Sequence, residues 1–355
     1  MKNKINILTS EAVALLKEMV AIPSPSFRED GVCSHVSNWM TSKGIGHERI
    51  GNNLVAEHIV DPALPTLMLC AHIDTVEPCE GYGFDPYNPE NSPEDMVQGL
   101  GSNDDGASVV SMLSVFRWAQ DNNGFKVNLI LVLTCEEERS GVGGMTGLWP
   151  KLEPKVDFAI VGEPTGMKAA VSERGLLVID ATAHGVSGHA ARNEGKNALY
   201  MALEDIDTLR RFEFTKVSPK MGKVNLNVTQ INAGSAHNVI PDRCDFVIDI
   251  RPTEQYCNKE ILADLQKVCK SELKARNLAN KSSATFEDSR LQAAAEKLGI
   301  ETFSSATTSD WMRISCDAIK MGPGESARSH RKDEFVYVDE IRNAIETYMD
   351  FINTL

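Results

Sequence analysis

Apolar residues recur along this chain in two rhythms. Near the N-terminus, Ala12, Leu15, Leu16 and Met19 return at helical spacing, with Glu11 and Lys17 between them. They predict an amphipathic helix with Thr9 or Ser10 as its N-cap. Three later runs, residues 66–71, 127–134 and 156–161, are short, continuous and rich in Val, Ile and Leu. Such runs suit strands buried on both faces of a largely parallel sheet. Residues 107–118 between the first two read as a helix, which makes an α/β layer pattern. Near Glu173 the rhythm changes. Residues 176–184, 224–232 and 244–251 alternate apolar with polar, as half-buried strands do, and residues 197–212 and 259–274 read as helices. That order fits a small ferredoxin-like α+β domain. After about Ser283 the first pattern resumes, with a helix over 290–298, a strand over 318–321 and a terminal helix from Asp339. The expected fold is α/β: a discontinuous, mainly parallel domain (1–172 and 283–355) with a smaller ferredoxin-like α+β domain inserted (173–282).

A length of 355 residues suits two domains. The formal net charge of −14 argues against nucleic acid as a partner, because phosphate binding needs a basic face. No apolar run is long enough for a membrane span, and the N-terminus does not read as an export signal. Eight cysteines occur without a CxxC pair, and Cys70 and Cys135 fall inside apolar runs. Buried thiols in a cytoplasmic chain are expected, not disulfides.

Candidate chemistry collects at the carboxyl ends of the predicted strands, where open α/β sheets place ligand groups. The first strand runs into Ala71-His72-Ile73-Asp74, the second into Glu136-Glu137-Glu138 and the third into Gly162-Glu163-Pro164. Ser102-Asn103-Asp104-Asp105-Gly106 precedes a helix, and Met321-Gly322-Pro323-Gly324 is followed by His330, Asp333 and Glu334. Each piece alone has an ordinary structural explanation: a satisfied histidine, a turn, or solvated acid. As a set they converge three carboxylate sites and two histidines. Nitrogen and oxygen donors without thiolates suit Zn²⁺, Co²⁺ or Mn²⁺. Asp74 is placed to accept the His72 ring N–H and fix its tautomer.

These residues resemble the co-catalytic zinc aminoacylase and deacetylase family. It includes acetylornithine deacetylase, succinyl-diaminopimelate desuccinylase, aminoacylase and the glutamate carboxypeptidases, and the first two are the nearest in pattern. The resemblance rests on AHIDTV (71–76), GLGSNDDGAS (99–108), LTCEEERSGVGG (133–144), VGEPTG (161–166), HGVSGHAA (184–191), NVIPD (238–242), DIRP (249–252) and GPGESARSHRKDE (322–334). It implies two divalent metal ions, zinc first, with cobalt or manganese as alternatives. His72 and Glu163 would bind one ion, Glu138 and His330 the other, and Asp104 both. Glu137 would be the general base, with Asp74 orienting His72. His189 would stabilise the oxyanion across a homodimer formed through the inserted domain, and Asn238 and Arg251 would hold the substrate carboxylate. The implied substrate is a small N-acylated amino acid: acetylornithine or acetylcitrulline in arginine biosynthesis, then a succinyl analogue, then a di- or tripeptide. A non-catalytic metal-binding scaffold is the alternative from another class. Two departures matter. Glu136 stands where the family often has Asp, which leaves the register of base and ligand to be settled. The segment 276–289 is short, so the last strand of the inserted domain is expected to be trimmed. Arg139, Arg192, Arg328 and Arg331 are candidates for a cation at the acyl end. With none assigned, acetyl is favoured over succinyl.

Overall fold

The computed structural model describes residues 2–122, 124–192 and 194–355. The chain divides into two compact units: Met1–Val171 with Ala284–Phe303 and Ser309–Leu355, and Ser172–Ser283 with Ser304–Thr308. Residues 304–308, expected in the first unit, belong to the second.

The first unit is built on a mixed sheet. Six of its strands run in the order Glu48–Ile50, Asn53–His58, Asn128–Thr134, Thr66–His72, Phe158–Val161 and Asp317–Lys320. The last four are mutually parallel, and the first two join antiparallel. Every residue of Thr66–His72 and Asn128–Thr134 is buried. Alternate side chains explain this. Leu67, Leu69, Leu129 and Leu131 enter a core with Leu15, Phe116 and Tyr348, from the helices Lys2–Val20, Ala107–Gln120 and Val338–Thr354. Met68, Cys70, Ile130 and Val132 enter a second core with Trp149 and Trp311. A sheet covered on both faces needs continuous apolar runs, which these strands have.

The N-terminal helix corrects the expected cap. It spans Lys2–Val20, so Thr9 and Ser10 lie inside it. Ile5 and Leu8 extend the buried stripe backwards, and the Thr9 hydroxyl donates to the Ile5 carbonyl at 2.9 Å instead of capping.

The second unit is a four-stranded antiparallel sheet in the order Asn225–Ala233, Arg243–Arg251, Leu177–His184, Glu272–Ala275. The chain order strand-helix-strand-strand-helix-strand is ferredoxin-like. The helices Ala198–Arg211 and Asn258–Val268 supply Ala202, Leu209, Ile261 and Leu265 to its core. One helix ends earlier than its periodicity suggests. The Asp205 carboxylate accepts the Lys270 and Ser271 N–H groups and the Ser271 hydroxyl, which turns the chain out of the helix. Residues 272–275 then form the fourth strand, so the sheet is complete and not trimmed.

Candidate active site

In the first unit the four parallel strands end together. Their ends supply His72, the Glu136–Glu138 run, Glu163 and the turn at Gly322. Gly322 is required by close approach: a Cβ there would lie 2.4 Å from Ser108 Oγ and 2.6 Å from the Glu163 carbonyl oxygen.

Asp104 stands between two imidazoles. Its Oδ1 is 3.2 Å from His72 Nε2, and its Oδ2 is 3.5 Å from His330 Nε2. His330 Nε2 also meets Glu138 Oε1 at 2.8 Å. The Asp104 backbone is pinned from behind, because Glu334 Oε1 accepts the N–H groups of Asn103 and Asp104, both at 2.9 Å. Glu334 is buried. Its place in the sequence was visible, but this anchoring role was not.

The His72–Asp74 pair differs from expectation. His72 Nδ1 meets the main-chain carbonyl of Asp74 at 2.9 Å, while the nearer carboxylate oxygen is 3.6 Å away. The carboxylate is engaged elsewhere. Oδ1 accepts the Glu137 N–H at 3.0 Å, and Oδ2 accepts the Glu138 N–H at 3.2 Å and the Ser26 hydroxyl at 2.7 Å. Asp74 therefore fixes the backbone under both glutamates. Glu136 turns away, with a φ of 60° and its carboxylate on the Gly143 N–H at 2.8 Å.

Donor atoms of His72, Glu137 and Glu163 lie within 4.8 Å of one another, and so do those of His72, Asp104 and Glu138. Burial pushes the Glu137 and Glu163 carboxyls well above their usual range, and repulsion adds to it: Glu163 acts on Glu137, and Asp104 on Glu163. Burial also raises Glu138, against its hydrogen bond to His330. Burial alone would lower the His72 imidazole, but its hydrogen bond with Asp104 and the nearby Asp74 and Glu137 carboxylates hold it well up. His330 is raised to about 9, chiefly by its hydrogen bond to Glu138. Neither the Glu137 nor the Glu163 carboxylate makes a hydrogen bond with a described residue. So much converging negative charge, offered by nitrogen and oxygen donors alone, fits divalent cations.

One nearby residue went unnoticed in the sequence. Asp310 is buried, accepts the Thr134 hydroxyl at 2.7 Å and is pushed to about 6, mainly by burial. Its field reaches Glu137. The TSD triplet at 308–310 was the available signal.

His189, Asn238 and Arg251 lie in the second unit. His189 and Asn238 come together there: Val239 pairs with His189, and the Ala190 N–H donates to the Asn238 carbonyl at 3.0 Å. Both side chains are exposed. His189 Nδ1 accepts the Ala191 N–H at 3.2 Å, so in the neutral ring Nε2 carries the proton. Arg251 is committed: Nε and Nη2 meet both Asp249 oxygens at 2.8 and 3.1 Å.

The strand-end cluster and the two-unit fold define a metal-dependent hydrolase of the metallopeptidase and deacylase kind. The chain belongs to the peptidase family M20/M25/M40, whose model matches residues 68–354. It is 26% identical to an acetylornithine deacetylase of Proteus mirabilis, over 94% of this chain and 93% of that one. It is 25% identical to a succinyl-diaminopimelate desuccinylase of Pelagibacter ubique, over 74% and 73%. Among solved structures it is similar in fold to the Bacillus cereus aminopeptidase PepT, with a TM-score of 0.78 at 17% identity over 98% of both chains. A dinuclear metal-binding M20 peptidase of Bacillus subtilis gives 0.75 at 15%, again over 98% of both. No helix among the described residues is long and apolar enough to cross a membrane.

Proposed function

We propose that this protein hydrolyses the amide bond of α-N-acyl amino acids, with N-acetylornithine or N-acetylcitrulline first among the substrates. Its setting would be arginine biosynthesis in the cytoplasm. The observation that carries the reading is Asp104 held between His72 and His330 with Glu137 alongside. His72 and Glu163 would hold one cation, zinc first, and Glu138 and His330 the other, with Asp104 shared. Such cations acidify water to near-neutral pKa and polarise an amide carbonyl. The Glu137 carboxylate is free of hydrogen-bond partners among the described residues. It accepts a proton from the attacking water and returns it to the leaving nitrogen. Glu137 could also serve as a donor to a cation on distance alone. The Asp74 anchoring and the Glu136 turn favour the assignment of 137 as base and 138 as ligand.

His189 offers an Nε2–H suited to a developing oxyanion. The reading includes a homodimer through the inserted domain, with His189 serving the partner's site. Tyr200 and Leu203 on the exposed side of the helix Ala198–Arg211 suit such a contact.

An activity screen of protein loaded with Zn²⁺, Co²⁺ or Mn²⁺ tests the proposal. The substrates are acetyl-, formyl- and succinyl-amino acids and dipeptides. Acetate release from acetylornithine supports it. Cleavage of dipeptides alone makes the protein a peptidase, and no turnover of any substrate leaves a metal-binding scaffold.

A further inference from the structure

Past the strand Asn128–Thr134, four consecutive N–H groups are taken by side chains from elsewhere in the first unit. Asn53 Oδ1 accepts that of Cys135 at 3.1 Å, and Glu29 Oε1 that of Glu136 at 3.2 Å. The two Asp74 oxygens accept those of Glu137 and Glu138 at 3.0 and 3.2 Å. All three acceptor residues are buried. Asn53 and Asp74 belong to the sheet: Asn53 begins the strand Asn53–His58, and Asp74 follows the strand Thr66–His72. Glu29 does not. It opens the helix Asp30–Ser42, yet its side chain caps none of the N–H groups there. A carboxylate at a helix start ordinarily serves those groups; this one reaches across to the end of another element.

The same Glu29 oxygen accepts the Phe27 N–H at 2.6 Å, and Oε2 accepts the Asn52 amide at 3.3 Å. Its two main-chain donors share a feature. Phe27 has a φ of 72° and Glu136 a φ of 60°, in the left-handed region that residues other than glycine favour poorly. The step at Glu136 has a direct effect. It carries the Glu136 carboxylate away to the Gly143 N–H, between two glycines where a Cβ would strike it. Glu137 and Glu138 are thereby left facing His72, Asp104 and Glu163. A right-handed step at 136 would redirect every side chain after it.

We propose that Glu29 is a positioning residue for the base: by accepting the Glu136 N–H it holds the left-handed step that aims Glu137 into the donor cluster. The inference rests on the assignment of Glu137 as base above. The role differs from that of Asp74. Asp74 holds the N–H groups of the base and of its neighbouring ligand, whereas Glu29 holds the turn before them. Glu138 keeps its own tie to Asp74 when Glu29 is changed. Loss of the Glu29 carboxylate therefore misplaces the base and leaves the cations in place.

The test measures kcat, KM and metal content of Glu29→Met and Glu29→Gln in the metal-loaded enzyme, on the best substrate of the screen above. Glu29→Met removes the acceptor, and kcat should fall about 10- to 100-fold with KM little changed and the cations retained. Glu29→Gln keeps an oxygen and should recover most of that loss. If Glu29→Met does not fold, Glu29→Asp withdraws the acceptor by one methylene and should lower kcat in the same way. Second-site glycines separate the two donors. Glycine takes the left-handed step unaided, so in a Glu136→Gly background Glu29→Met should cost less than about threefold. In a Phe27→Gly background it should keep its full effect. Cation loss in step with kcat overturns the proposal, as does a Gln variant no better than the Met variant. An undiminished loss in Glu136→Gly, or relief by Phe27→Gly alone, overturns it too. Hydrogen exchange gives a readout without turnover. The Glu136 N–H should exchange at least about tenfold faster in Glu29→Met than in the wild type or Glu29→Gln, and equal rates overturn the proposal. If the wild type hydrolyses no substrate of the screen, or Glu137→Gln stays active, the functional reading fails by itself and the exchange rates still decide Glu29.

Discussion

The two sheets of this molecule follow opposite rules, and their candidate residues differ accordingly. In the first unit the central strands are buried at every position, and the groups at their ends are held by buried partners. Asp104 hangs from Glu334, and the backbones of Glu137 and Glu138 both hang from Asp74. In the second unit the strand Leu177–His184 alternates between buried and half-buried positions, and His189 and Asn238 are exposed at the short His189–Val239 pairing. Backbone pinned inside a covered sheet suits donors whose separations must be fixed within fractions of an ångström. Exposed side chains on a one-sided sheet suit groups that meet a substrate only when it arrives. The comparison makes a claim about variants: changes at the pinned strand-end cluster act through geometry and metal, and changes at His189 and Asn238 act through substrate.

The strongest attack on that claim is Glu137→Gln. Turnover should fall roughly 10²- to 10⁴-fold while elemental analysis still finds two metal ions per chain. If Glu136→Gln is the inactive variant instead, the register is wrong by one. His189→Ala should come next, with a loss of about 10²- to 10³-fold and an unchanged metal content. Mixed with Glu137→Gln subunits it should regain partial activity, since one site per mixed dimer would be intact. Recovery failing despite verified subunit exchange would remove the cross-subunit role.

Glu334→Leu sharpens the comparison from the other side. It leaves two buried N–H groups without an acceptor, so metal affinity should drop about 10- to 100-fold and stability by roughly 1–3 kcal/mol. Unchanged metal affinity in a titration would make Glu334 a bystander.

The smallest effect is the pH dependence of the stripped protein. Asp105 and Glu334 are raised to about 8 and Asp310 to about 6, all mainly by burial. A carboxyl raised on folding contributes fully below its ordinary pKa, near 4, and that contribution disappears as pH climbs through the raised value. His330, raised to about 9, acts in the same direction over pH 6.5 to 9. The melting temperature of chelator-treated protein should therefore fall between pH 5 and 8, and added metal should flatten the curve. A flat curve without metal would show that these groups titrate normally.

Much of this was legible in the chain. His72, Glu138 and Glu163 announced themselves because continuous apolar runs end in them, and strand ends converge whatever the details of packing. The antiparallel unit was legible from alternation alone. What stayed hidden was the choice of partners across sequence distance. Nothing in DIRP shows that Arg251 spends its fork on Asp249, and nothing in HxD shows that His72 chooses a carbonyl over a carboxylate. Residues 272–274 read as helix because Glu, Leu and Lys favour it. Asp205, far back in the chain, overrode that preference.

The Asp74 carboxylate carries a further consequence. One side chain tethers the peptide groups of two neighbours, one assigned to move protons and the other to hold a cation. The two tasks are thus mechanically geared. Among substitutions at Asp74 and at Ser26, which braces it, losses in proton transfer and in cation retention should rise and fall in proportion. A series plotting one against the other would give a line, where independent supports would give a scatter.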